Sequence, residues 1–218
     1  MRKQLQHIVN YLTENLLTNK SADQTIMKNS FWLFLAEGTN KGILFLVAIL
    51  IARNFSPEEY GVFGYVFSVM TLIAMIADFG LTNITIRELA KNRTDSKTYF
   101  EDAVSLKILL SVLAFLSMVT VAVFLNPDIR VLAILAGTAI LLEGMTDYLR
   151  TSFRMSEQSQ FEVVIKATTA IILIGLVVCG IVLKLSLTYI LLGYIIAHLS
   201  GLLLSLRLLE SAGFQAPR

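Results

Sequence analysis

Apolar residues in this chain come in long runs, and the polar residues collect between them. Six runs stand out: Phe31 to Ala52, Gly61 to about Ile84, Ala103 to Leu125, Ile129 to about Leu149, Val163 to Leu183, and Leu187 to about Leu206. Each holds about 20 residues, and a helix of that length crosses the ~30 Å hydrocarbon core of a bilayer. Spanning β-strands would need only about 10 residues with strict alternation, a pattern these runs lack. The reading is an all-α, polytopic membrane protein whose six-helix transmembrane lobe covers residues 29–209. Connectors between the runs are too short to hold a soluble domain.

Upstream of the lobe, Leu5, Ile8, Val9, Leu12 and Leu16 recur at helical spacing behind Arg2 and Lys3. Residues 1–28 therefore read as a cytoplasmic amphipathic segment on the membrane surface, with a plain cytosolic tail as the alternative. Residues 210–218 form a short cytoplasmic tail. Helix-start signals mark the connectors. Ser21 with Gln24 makes one capping box, and Ser56-Pro57-Glu58-Glu59 combines a second box with proline at the first helical position. Asn126-Pro127-Asp128 does similar work before the fourth run, and Lys184-Leu185-Ser186 closes a tight turn between the fifth and sixth.

Basic flanks set the orientation. Arg2, Lys3, Lys20 and Lys28 precede the first run; Arg87, Lys91, Arg93 and Lys97 follow the second; Arg150 and Arg154 follow the fourth; Arg207 and Arg218 follow the sixth. The opposite side carries only Arg53, Arg130 and Lys184. Both termini are expected in the cytoplasm, with the chain multi-pass in the cytoplasmic (inner) membrane.

Composition agrees with the pattern. The 218 residues are 56% hydrophobic and only 16% charged, and the mean hydropathy is +0.70. Soluble domains carry about a quarter charged residues. A net charge of +2 gives no reason to expect nucleic acid as a partner. The single cysteine, Cys179, lies in an apolar run and reads as packing. No cleavable signal, nucleotide-binding loop, serine elbow or metal-ligand spacing is present, so no catalytic residue, metal or cofactor is assigned and no enzyme activity is expected.

Charge within a span is costly, about 2.5 kcal/mol or more at the bilayer centre, so each such group invites a reading. Glu37 and Lys41 lie four apart on one helix face with Asn40 beside them. They line a water-filled cavity or simply neutralise each other. Asp78 precedes Phe79-Gly80, after which Thr82, Asn83 and Thr85 make the second run polar. Asp78 faces a cavity or marks the approach to the interface. Glu143, Asp147, Arg150 and Arg154 follow one another at three- and four-residue steps along the fourth run. Arginines at a cavity mouth suit an anionic head group, since guanidinium grips phosphate bidentately; ordinary positive-inside flanks are the plainer account. Lys107 and Lys166, about a turn inside their runs, are explained by snorkelling to the interface. His198 either titrates or packs with a hydrogen bond.

Several stretches resemble the start of the oligosaccharide flippases of polysaccharide biosynthesis. They are Asn29-Ser30-Phe31 opening a run that contains Gly38 and ends in Ile51-Ala52-Arg53, Phe55-Ser56-Pro57-Glu58-Glu59-Tyr60-Gly61-Val62-Phe63-Gly64-Tyr65, Asp78-Phe79-Gly80-Leu81 leading into Ile86-Arg87-Glu88-Leu89-Ala90, and Leu149-Arg150-Thr151-Ser152-Phe153-Arg154-Met155. The resemblance covers nearly the whole chain and is sharpest in its first half. It implies a lobe like the N-terminal lobe of a multidrug-and-toxin-exporter type transporter. Two such lobes would enclose a cationic cavity and rock to move a polyprenyl-diphosphate-linked oligosaccharide across the membrane. The C-terminal lobe is absent from this sequence, which is expected to be a fragment or one of two split lobes. On this reading Lys41, Arg87, Arg150, Arg154 and Asn40 contact the cargo, while Glu37, Asp78, Glu143 and Asp147 orient those cations or couple an ion. Expected partners are membrane lipid, the lipid-linked oligosaccharide, and a second six-helix lobe or glycan-assembly proteins. A cation-coupled multidrug exporter lobe and a non-transporting structural subunit of a glycan-assembly complex are the alternatives.

Overall fold

A computed structural model describes residues 22–91, 96–155 and 160–211. They form seven helices: α1 (Ala22–Asn54), α2 (Pro57–Asp78), α3 (Leu81–Lys91), α4 (Ser96–Phe124), α5 (Pro127–Met155), α6 (Gln160–Val182) and α7 (Leu187–Ser211). Six segments are long and apolar enough to cross a membrane, with α2 and α3 together making one of them. The chain is an all-α polytopic membrane protein. The predicted surface helix through Leu16 and the Ser21 cap lie outside the described residues.

Local chemistry places the helix ends. Ser56 Oγ accepts from the Glu59 amide at 3.2 Å, and the Ser56 amide donates to Glu59 Oε2 at 2.9 Å, so the box forms with Pro57 in the first turn. Asn126 Oδ1 accepts from the Asp128 amide at 3.1 Å to start α5. Arg130 reaches back, donating to the Val123 carbonyl at 2.9 Å and satisfying the end of α4. Lys184 takes the left-handed conformation (φ 52°), and the Leu185 amide closes α6 on the Gly180 carbonyl at 2.8 Å.

One boundary departs from the pattern. The second apolar run reads as a continuous helix to about Ile84, yet the chain breaks at Phe79 and Gly80, both left-handed at φ 40° and 80°. Thr82, Asn83 and Thr85 follow the break, but Leu81, Ile84 and Ile86 alternate with them and the whole stretch still counts as one span by hydropathy. The signal is the Asp-Phe-Gly sequence, where glycine enters a positive φ without steric cost.

The helices pack in the order α1, α6, α7, α5, α2, α4, and α3 rests on α4 and α5. Small residues let the central helices approach. Ala133, Ala136 and Ala139 of α5 are fully buried, and a Cβ added to Gly137 would lie 2.8 Å from Met118 Sδ. Aromatic and aliphatic side chains cover the outside: Phe34, Phe45, Leu72, Phe124 and Ile171 are all strongly exposed. Such a surface suits hydrocarbon rather than water. Cys179 belongs to it. It is exposed rather than packed in the core.

Leu81, Phe100, Tyr148, Phe153, Ile165 and Leu209 form one buried cluster. It gathers the start of α3, α4 and α6 and the end of α5 and α7 at a single face of the bundle. The charged residues of the spans collect just below that face.

Candidate functional site

A cleft of about 410 Å³ opens among α1, α2, α3, α4 and α5. Its polar lining comes from Glu37, Asp78, Thr82, Asn83, Lys107, Ser111, Asp147 and Thr151. Its apolar floor comes from Ala74, Ala77, Ile140, Leu141 and Gly144. The cleft exists because α1 touches α2 only slightly, being held by α6 instead.

The break after α2 builds one wall. Asp78 is the last residue of α2, and the Phe79 amide closes the helix on the Met75 carbonyl at 3.0 Å. Thr82, across the break, donates its hydroxyl to Asp78 Oδ1. Lys107 Nζ donates to the same oxygen at 3.0 Å. Lys107 also lies 5.5 Å from the centroid of the Tyr148 ring, within cation–π range. Tyr148 in turn is fully buried, shares a 3.0 Å hydrogen bond with Thr85, and stacks on Phe100 with centroids 6.0 Å apart.

Two further cations complete the site. Arg150 pairs with Asp147 one turn earlier on α5. Lys166 of α6 bridges Glu37 of α1 and Glu162 of its own helix, at 3.2 Å from each. The pairs Lys107–Asp78, Arg150–Asp147 and Lys166–Glu37 share one polarity. The carboxylates Glu37, Asp78 and Asp147 keep 57%, 41% and 53% of their side-chain exposure, whereas the cations Lys166, Lys107 and Arg150 keep 4%, 3% and 6%. In each of these pairs the acid keeps more exposure than the base, although Lys107 also lines the cleft and Glu162 is buried with Lys166. A cation taken out of water is tolerable only when paired, and each of these reaches its carboxylate from the protein side.

This arrangement sorts the residues singled out in the sequence. Glu37, Asp78 and Asp147 come together in the cleft. Arg150 reaches it only through Asp147. Asn40 and Lys41 are not among the lining residues, and Lys41 is exposed on α1. The self-neutralising Glu37–Lys41 pair is replaced by Glu37–Lys166, because α6 packs along the face of α1 that carries Glu37. Arg87 is exposed on α3 and does not line the cleft. Glu143 points instead toward His198 of α7, at 3.9 Å, and His198 packs against Tyr194 with ring centroids 6.2 Å apart. The side chain of Arg154 lies outside the described residues.

Lys107 and Lys166 are corrections. Snorkelling requires a free path to the interface, and both ammonium groups are buried instead. Lys107 lies nine residues into the span Thr98–Phe124, roughly 14 Å along the helix axis. The earlier start of α4, before the apolar run, is what makes it deep. Glu162, Ser111 and Thr151 carried no signal of their own, since each becomes part of the site only through packing between helices.

A family model described as polysaccharide biosynthesis protein matches residues 26–216. No curated protein and no solved structure matches the chain.

Proposed function

The chain belongs to the polysaccharide biosynthesis protein family, and from that premise we propose that it is a flippase lobe moving a polyprenyl-diphosphate-linked oligosaccharide across the cytoplasmic membrane. The observation that supports this reading is a polar cleft set among helices that otherwise present apolar surface. A glycan cannot cross hydrocarbon without such a path, because each unsatisfied polar group costs several kcal/mol there. The prenyl chain needs no path and stays in lipid. Transport by rocking moves the cargo without making or breaking its bonds, so no catalytic group is invoked.

In the proposed orientation both termini are cytoplasmic, and the cleft lies toward the cytoplasmic ends of the helices. A second six-helix lobe, on the same or another chain, would cover the cleft, and rocking between the lobes would alternate its access. A reporter fused after Ser56 should then read out on the far side of the membrane.

Deleting the gene tests the reading. Surface polysaccharide should be lost while lipid-linked oligosaccharide accumulates on the cytoplasmic face. Unchanged surface polysaccharide would overturn it. The exposed carboxylates favour one alternative, a cation-coupled exporter of small amphipathic compounds. That alternative predicts drug sensitivity on deletion with normal surface polysaccharide.

A further inference from the structure

We propose that α3 is a hinged gate on the cleft: the chain at Phe79 and Gly80 switches between the observed bend and a straight continuation of α2, and the Tyr148 hydroxyl latches the bent form through Thr85. Opening a path for cargo is the use that the flippase reading gives this motion. The motion itself stands apart from that reading.

Local and tertiary demands oppose each other at the bend. From Pro57 to Glu88 the chain is long and apolar enough to form one membrane-spanning segment. Nothing in its apolar pattern asks for two helices. Phe79 is held left-handed at φ 40°, a conformation that crowds the Cβ of a bulky residue. It is also 84% exposed, so packing of its ring does not hold it there. A straight helix relieves that strain.

What keeps the bend is contact between α3 and the helices it leans on, α4 and α5. Leu81 packs in the buried cluster with Phe100 and Tyr148. Thr85, fully buried, shares a 3.0 Å hydrogen bond with the Tyr148 hydroxyl. Tyr148 cannot follow α3 if α3 moves. Its ring is completely buried, stacks on Phe100, and has the Lys107 ammonium 5.5 Å from its centroid. Lys107 is held in turn by Asp78 at 3.0 Å. The hydroxyl is therefore a fixed post, and straightening breaks the bond to it. The Thr82–Asp78 bond joins residues four apart and is compatible with a continuous helix, so it moves with the hinge rather than opposing it.

The bend also shapes the cleft. Thr82 and Asn83, in the first turn of α3, line it together with Lys107 of α4 and Thr151 of α5. Straightening parts α3 from α4 and α5 and opens this side of the cleft. Two packings of one segment that differ by a few contacts make a bistable element, and gates are built from such elements.

Distances between spin labels on the purified chain in lipid nanodiscs test the gate. The labels are attached at Tyr65→Cys of α2 and Arg87→Cys of α3, in a Cys179→Ser background because Cys179 is itself exposed. Both labelled positions are exposed and neither lines the cleft. A continuous helix separates them by about 33 Å, and the bend brings them closer. Tyr148→Phe and Thr85→Val should each raise the share of the long distance about fivefold, the effect of losing one hydrogen bond. Gly80→Ala should raise it too, because alanine avoids φ 80° and the added Cβ meets nothing within 4 Å. Ser56→Ala, at the other end of α2, should leave it unchanged. A long-distance share unmoved by Tyr148→Phe, Thr85→Val and Gly80→Ala overturns the proposal. A broad spread with no peak at the long distance also overturns it, since α3 would then detach rather than straighten. These distances are read without cargo, and the deletion phenotype judges the flippase reading separately.

Discussion

Lys107 Nζ sits 3.0 Å from Asp78 Oδ1 while its own side chain is only 3% exposed, against 41% for the aspartate. The pair is therefore asymmetric, and the two single substitutions should differ. Asp78→Asn strands a buried ammonium and should destabilise by about 3 kcal/mol. Lys107→Met strands only a half-exposed carboxylate that Thr82 still supports, and should cost about 1 kcal/mol, part of it the lost contact with the Tyr148 ring. The double variant should recover most of the loss of Asp78→Asn. Thermal unfolding of the four proteins in one detergent measures this. Equal losses from the two single changes would contradict the burial asymmetry.

Lys166 ties α1 to α6 and also serves Glu162, which is completely buried. Lys166→Met should therefore cost on the order of 3 kcal/mol, whereas Glu37→Gln should cost less than about 1 kcal/mol because Glu37 is more than half exposed. A cysteine cross-linking rate between α1 and α6 should follow the same order. A larger effect from Glu37→Gln would mean that the bridge, rather than the burial of Glu162, dominates.

Gly80 isolates a backbone effect. It holds φ 80°, and a Cβ added there would meet nothing within 4 Å. Gly80→Ala should destabilise by about 1 kcal/mol through conformation alone. Because the same turn places Asp78 beside Thr82 and Lys107, the variant should also weaken oligosaccharide binding. Wild-type stability in Gly80→Ala would show that the break between α2 and α3 straightens without penalty.

Ser56→Ala removes a capping hydroxyl from an exposed helix end remote from the cleft. It should lower stability by about 1 kcal/mol and leave oligosaccharide affinity unchanged. A shift in affinity would link that end of α2 to the cleft through the length of the helix.

The membrane spans and their caps are local features, and local features are legible in sequence. Ser56, Pro57 and Glu59 announce their helix because the box needs residues only three apart. The cleft acids Glu37, Asp78 and Asp147 were legible for a related reason, since an ionised group inside an apolar run is costly wherever the helix turns it. Their partners were not. Asp78 and Lys107 are 29 residues apart, and Glu37 lies on a helix whose packing against α6 no periodicity reveals. Local spacing instead favoured Glu37–Lys41, the nearer opposite charge. Polarity was the deepest omission. Sequence shows acids and bases along the spans, and only the packed helices show that Glu37, Asp78 and Asp147 stay more exposed than the cations they pair with.

The flippase account is tested most directly by following lipid-linked oligosaccharide across sealed membrane vesicles that carry the chain in its native complex. Protection of the glycan from an added glycosidase reports its side. With the unsubstituted chain, glycan should move between the two faces, and the Glu37→Gln variant, in which Lys166 keeps Glu162, should slow that movement at least tenfold while remaining folded in the membrane. Movement at the unsubstituted rate in that variant would contradict the claim that the cleft is the cargo's path.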